Sequence, residues 1–231
     1  MFLEALEISP EIPNTIAICG AGGKTTLMHT LAREAAARGI SSAIYTTTHI
    51  MRPDAADIVC CSGIPGDTEA SALERGMIIA PGELLEDGRW GQPHQECLDW
   101  LSEHCRFIAV EADGSKRLPL KYPAAWEPVI PETTGKTIVV CGLSCLDKPL
   151  SRICHRWELA KSQQGFNYDT ASEEAVAHIL AAGYGQYRPT ILLNQADEPS
   201  VQNRACRIRD LLTAKGIKKT VIASLHKGLV L

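Results

Sequence analysis

The stretch TIAICGAGGKTTLMHTLAREA, residues 15–35, places three kinds of chain in a fixed order. A short apolar, β-branched run comes first, then a loop with Gly20, Gly22 and Gly23. Leu27, Leu31 and Ala35 then recur at helical spacing, and Gly39 follows where a helix end favours a residue tolerant of the left-handed conformation. Strand, glycine-rich loop and helix in that order predict a β-loop-α unit. Its loop backbone is stripped of side chains where the N–H groups of the helix start converge, and an anion suits that position.

The same alternation continues along the 231 residues. SAIYT, MIIA, FIAVE, TIVVC, TILLN and TVIAS are further short apolar runs, separated by helical patterns. Strands alternating with helices predict an α/β fold, a mostly parallel sheet with crossover helices in the three-layer, P-loop NTPase-like arrangement. The chain is expected to form a single domain over residues 1–231. Residues 116–134 are expected to be an ordered, proline-rich loop insertion, because Trp126, Val129 and Ile130 are costly to leave in water. Thr170 and Glu173 read as a capping box ahead of Val176, Ile179 and Leu180, with Gly183 as the stop. Val201, Ala205, Ile208 and Leu212 mark a last helix.

Composition limits the function classes. A formal net charge of -4 argues against a nucleic-acid partner held by general attraction. The start MFLEALEISPEIP has neither the basic beginning nor the apolar run of a signal peptide, and no segment reaches the about eighteen apolar residues of a membrane span, so a cytoplasmic protein with no membrane partner is expected. The 9 cysteines include no CxxC pair, and they are expected to be buried thiols without structural zinc.

The loop itself is GxxGK followed by Thr25. The longer phosphate loop, GxxxxGK with Ser or Thr, would need glycine where Ile18 stands. The compact form resembles the ATP loop of the Mur ligases. A nicotinamide-type GxGxxG would need its third glycine at Thr25, and an acid on the second strand where TTTH stands, so phosphate binding is the better reading. Gly20, Gly22, Gly23 and Thr26 would line the phosphates, Lys24 would bring a point charge, and the Thr25 hydroxyl would join a magnesium shell. A second GKT, Gly135 to Thr137, precedes a strand and reads as an ordinary turn. FIAVEADG ends a buried run in Glu111 and Asp113, where a metal-binding acid belongs. One would hold Mg2+, and the other would orient a water or acceptor. Lys24, Glu111 and Asp113 are therefore the candidate catalytic set. Thr48 and His49, ending the neighbouring strand, would reach the phosphate or metal from the other side.

ILLNQADE bears on the base. Asn194 and Asp197 resemble the NKxD element of GTP-binding proteins, with Gln195 in place of lysine, and Ala223 and Ser224 stand where such proteins carry a small contact to guanine. Guanine is favoured over adenine, and both GTP and ATP stay open.

Taken together, GAGGKTT, TTTH, EADGSKRLPLKYPAAWEPVIP, CGLSCLDKPL with HRWEL, and LLNQAD resemble the YqeC-like family, over nearly the whole chain. The resemblance implies an accessory role beside selenium-dependent molybdenum hydroxylases, in cofactor maturation or insertion, with binding roles for Gly20 to Thr26, Glu111 and Asp113. Lys116, Arg117 and Lys121 lie close to those acids, where cations oppose magnesium unless they answer a second anion, which a phosphorylated or pterin-type substrate would supply. Glu127 either senses that substrate or caps a turn. Two function classes remain: an enzyme that hydrolyses a nucleoside triphosphate or transfers from it, and a non-hydrolysing carrier of a molybdopterin nucleotide or similar phosphorylated cofactor.

Overall fold

The apolar runs become strands whose side chains are covered on both faces, as parallel sheets require. In a computed structural model describing residues 1–231, the strands are β1 (Asn14–Gly20), β2 (Ser42–Thr46), β3 (His49–Met51), β4 (Ile58–Cys61), β5 (Ile78–Pro81), β6 (Arg89–Gly91) and β7 (Phe107–Glu111). They continue as β8 (Leu120–Lys121), β9 (Thr134–Gly142), β10 (Cys154–His155), β11 (Thr190–Asn194), β12 (Lys219–Ser224) and β13 (Leu229–Val230). The helices are α1 (Phe2–Ala5), α2 (Lys24–Ala36), α3 (Asp67–Glu74), α4 (Gln95–His104), α5 (Leu150–Ile153), α6 (Trp157–Lys161), α7 (Glu173–Tyr184) and α8 (Pro199–Ala214).

The main sheet is nine-stranded, in the order β13-β12-β11-β9-β1-β7-β2-β5-β4. Its pairs β1–β7, β2–β7, β2–β5, β4–β5, β9–β11 and β11–β12 are parallel, and β12–β13 is antiparallel. The expected α/β class is therefore the observed one.

The chain packs as two compact units. The first comprises Met1–Ile18, Thr25–Gly114 and Val129–Lys136. Within it, the crossover from β1 through α2 to β2 runs towards the β4 edge, whereas those through α3 and α4 run back. Right-handed crossovers in opposed directions put their helices on opposite faces, which gives the helix–sheet–helix layering. One core cluster joins Ala43, Tyr45, Ile79, Ile108 and Val110 of the strands to Ala72 of α3 and Leu101 of α4.

The second unit comprises Cys19–Lys24, Ser115–Pro128 and Thr137–Leu231. In it α7 packs on α8, burying Val176, Ile179 and Leu180 with Ala205, Ile208 and Leu212. The nine cysteines are free, six of them buried. Burial pushes the Cys105 and Cys154 thiols up to about 12, so they fill space and stay protonated. No helix is long and apolar enough to cross a membrane.

Four local expectations are corrected. Thr170 is held extended by a bridge to Pro149, so Ser172 caps α7 instead, accepting from the Ala175 N–H at 3.2 Å. Gly183 does not stop that helix, which continues to Tyr184. The second GKT is not a turn, because Gly135, Lys136 and Thr137 lie inside β9; a Cβ at Gly135 would collide with Asn14 Oδ1. The 116–134 segment is not anchored by Trp126 and Val129, which are 70% and 46% exposed. It is anchored by buried Leu120, Lys121, Tyr122 and Ala124, and by the pairing of β8 with β10.

Gly183 owes its identity to packing. A Cβ there would stand 2.6 Å from Cδ of Pro123, a ring atom with no rotamer to yield. Alanine in a helix interior ordinarily stabilises by about 1 kcal/mol over glycine. Here overpacking outweighs it, and Gly183→Ala is expected to lower stability by about 1–2 kcal/mol. A melting temperature equal to or above wild type would contradict this.

Candidate functional site

The loop after β1 is made close-fitting by its glycines. Gly20 and Gly22 have φ of +90° and +82°, which L side chains rarely adopt, and a Cβ would collide with Val140 O at the first and Gly142 N at the second. A Cβ at Gly22 would also lie 2.9 Å from Pro119 O. Gly23 backs onto the Asn194 amide in the same way. The Ala21 N–H donates to Val140 O at 2.8 Å, so the loop is pinned to the end of β9. Lys24 then opens the 13-residue helix α2 and is 4% exposed.

Asn194, at the end of β11, is a strut. Its Nδ2 donates to Gly22 O at 2.8 Å, while its Oδ1 accepts from the Leu225 N–H at 3.0 Å. The residue singled out for nucleotide contact thus touches the loop backbone and the turn after β12. Gln195, which stands in place of the lysine, adopts φ 68° and accepts from the Ser144 N–H at 3.2 Å. Asp197 accepts from the Ser224 hydroxyl, and Lys227 donates to the Asp197 carbonyl at 2.8 Å. Lys227 was not singled out from the sequence. It is separated from Ser224 by Leu225 and His226, and no motif spacing marks it.

In the first unit the acids stand where the register of β7 puts them. Glu111 lies level with Ile18 of β1 and Thr46 of β2. The Thr25 hydroxyl donates to Glu111 Oε2 at 2.6 Å, and Asp113 is fully buried just beyond the strand. The TTTH hydroxyls are used locally. Thr46 donates to Glu111 O at 3.0 Å, Thr47 donates to Val129 O at 3.1 Å, and Thr48 lies against Thr46, their hydroxyls 3.3 Å apart. His49 is exposed on the short β3–β6 ribbon, and Thr26 is exposed in the first turn of α2. No group of three or more His, Cys, Asp or Glu side chains is arranged to hold a metal.

The basic loop divides. Lys116 and Arg117 are exposed, with φ of 51° and 60°. Lys121 is buried, its ammonium 2.9 Å from Glu127 Oε2. Arg156 reaches the same carboxylate, with Nε 3.1 Å from Oε2 and Nη2 3.3 Å from Oε1. The HRWEL segment contains Arg156, but nothing in its spacing shows that it meets Glu127 in space.

These features are set beside known proteins. The model of the YqeC protein family matches residues 16–158. The chain belongs to the YqeC family. The protein YqeC of Escherichia coli (strain K12) is 34% identical over 149 residues, which cover 63% of this chain and 58% of that protein. The matched part thus spans little more than half of that relative. Two solved structures are similar in outline. The hydrogenase maturation factor HypB from Archaeoglobus fulgidus has a TM-score of 0.46 at 13% identity, covering 97% of this chain and 87% of its own. The signal recognition particle 54 kDa protein from Aeropyrum pernix K1, in complex with GDP, has a TM-score of 0.42 at 12% identity, covering 94% and 43%.

The electrostatics of the triad generate a pH prediction. Burial pushes the Glu127 carboxyl up, but the hydrogen bond and charge of Lys121, and then Arg156, outweigh it and hold the group below its ordinary 4.5. A depressed folded value means a contribution complete above pH 4.5 and lost as the pH falls through the lower folded value. Glu127→Gln leaves Lys121 buried beside a neutral group, and is expected to cost about 3–5 kcal/mol at pH 7. Its stability should then fall less steeply than wild type between pH 5 and pH 3, as read by urea denaturation. Parallel acid limbs in the two proteins would refute the assignment.

Proposed function

We propose that the protein binds a purine nucleoside triphosphate with Mg2+ on residues Gly20 to Thr26, and serves as an accessory factor in the maturation or cofactor insertion of selenium-dependent molybdenum hydroxylases. The nucleotide part is carried by one observation: beyond a loop whose glycine positions admit no side chain, the Thr25 hydroxyl and the Glu111 carboxylate meet at 2.6 Å. The accessory role follows the family.

The donor set fits magnesium. Thr25 and Glu111 offer hard oxygens, and Asp113 adds a second carboxylate with no exposed surface. The ion, when bound, neutralises charge on the phosphates. The chain's own groups do the rest. Backbone N–H groups of the loop and the start of α2 hold the phosphates, Lys24 donates to terminal phosphate oxygens, and Glu111 or Asp113 orients a water or acceptor hydroxyl.

Guanine is the favoured base. Asp197 is set by Ser224 and offers a carboxylate to the guanine N–H groups, and with adenine it would be left without those donors. Asp197→Asn is expected to weaken GTP binding by about 1.5–3 kcal/mol and to raise affinity for xanthosine triphosphate. Competition titrations read both, and ATP displacing a fluorescent GTP analogue at equal concentration would overturn the preference.

Turnover separates an enzyme from a carrier. Lys24→Ala is expected to reduce phosphate release from GTP by roughly a hundredfold, with or without a hydroxylase partner. Equal release by variant and wild type would remove hydrolysis and leave the carrier.

A further inference from the structure

The Lys121–Glu127–Arg156 cluster ends at an aromatic surface that the nucleotide reading does not use. Trp126 is 70% exposed, and the Arg156 guanidinium lies 5.3 Å from its ring centroid. Arg156 itself is oriented by two hydrogen bonds to Glu127, so its guanidinium is pre-set, with about a third of the side chain in solvent. Strand pairing sets His155 opposite Lys121. Burial first, and then the charges of Lys121, Arg156 and Lys116 against that of Glu127, hold the His155 imidazole below its ordinary 6.5. A flat ring in solvent beside a pre-set guanidinium suits a ligand with an anionic group and a planar body. A plain ion pair would have no use for the exposed indole.

The location adds a second argument. Pro119, whose carbonyl oxygen accepts from the Gly142 N–H at 2.8 Å, also crowds Gly22 of the phosphate loop. Lys121 follows two residues on, roughly 7 Å farther along an extended chain. Within the second unit, this cation cluster therefore begins beside the loop.

We propose that Arg156, Lys116 and His155, with Trp126 as stacking face, bind the phosphate and ring of a planar phosphorylated small molecule, the second ligand of the nucleotide site. Its role as second ligand rests on the nucleotide reading; its binding does not. Arg156 meets the phosphate with the N–H groups that Glu127 leaves, exposed Lys116 supplies a further charge, and the indole covers the ring.

Calorimetric titration of the full chain with phenyl phosphate and with inorganic phosphate tests this, using wild type, Lys24→Ala, Trp126→Ala and Arg156→Gln. Wild type and Lys24→Ala are expected to bind phenyl phosphate equally. Trp126→Ala should weaken phenyl phosphate by about tenfold and leave inorganic phosphate unchanged. Arg156→Gln should weaken both by about tenfold or more. Because Trp126 is exposed, its variant keeps the test valid should Arg156→Gln fail to fold. The proposal is overturned if wild type does not bind phenyl phosphate, if Trp126→Ala binds it like wild type, or if Lys24→Ala loses it. The second outcome would assign the indole to a protein partner, and the third would put the anion in the phosphate loop. GTP binding by the same variants separates the two sites: loss of GTP by Lys24→Ala with phenyl phosphate retained is expected.

Discussion

The close approach of the glycine loop to the ends of β9 and β11 is the constraint on which the site depends. Val140, Gly142 and Asn194 occupy the space that side chains at Gly20, Gly22 and Gly23 would need. That packing, with the Ala21 and Asn194 hydrogen bonds, holds the loop without any ligand. A loop already ordered loses little entropy on taking up a ligand, so under the proposed nucleotide reading more of the interaction would appear as affinity. Asn194 also ties the loop to the Leu225 backbone, so the turn after β12 and the glycine loop are set by one amide.

The polar groups follow a second rule, that a charge is buried only with its partner. Lys121 is held by Glu127, and Glu127 by Arg156. Such a cluster contributes little net stability, because desolvation offsets the attraction, but removing one member is costly. Its effect is geometric. It sets the direction of Arg156 and thereby the face of Trp126. The 115–128 segment is thus ordered from beneath by charge and by buried Leu120, Tyr122 and Ala124, while its largest aromatic stays in solvent.

Much of the fold was legible in the chain. Each of the apolar runs read as a strand lies in the nine-stranded sheet, because a buried parallel strand needs a continuous apolar run and little else in the sequence looks like one. What escaped were short or shared elements. Ile58 to Cys61 is not among the apolar runs read as strands, yet forms the edge strand β4. The helices α3 and α4 bury few side chains each, so their periodicity is faint. Trp126 misled because a large aromatic is usually covered, and here the chain turns it outward.

The sequence by itself determined the strand–loop–helix unit, the placement of Lys24 and Thr25 at a helix start, and the acids at the end of β7, since each depends on neighbours along the chain. Only the tertiary structure decided that Thr25 meets Glu111, that Asn194 braces Gly22, and that Arg156 shares Glu127 with Lys121. Those partners are 86, 172, 29 and 6 residues apart in the order their pairs imply; the first two are brought together by sheet order and crossover and the third by the β8–β10 ribbon, which no local spacing records.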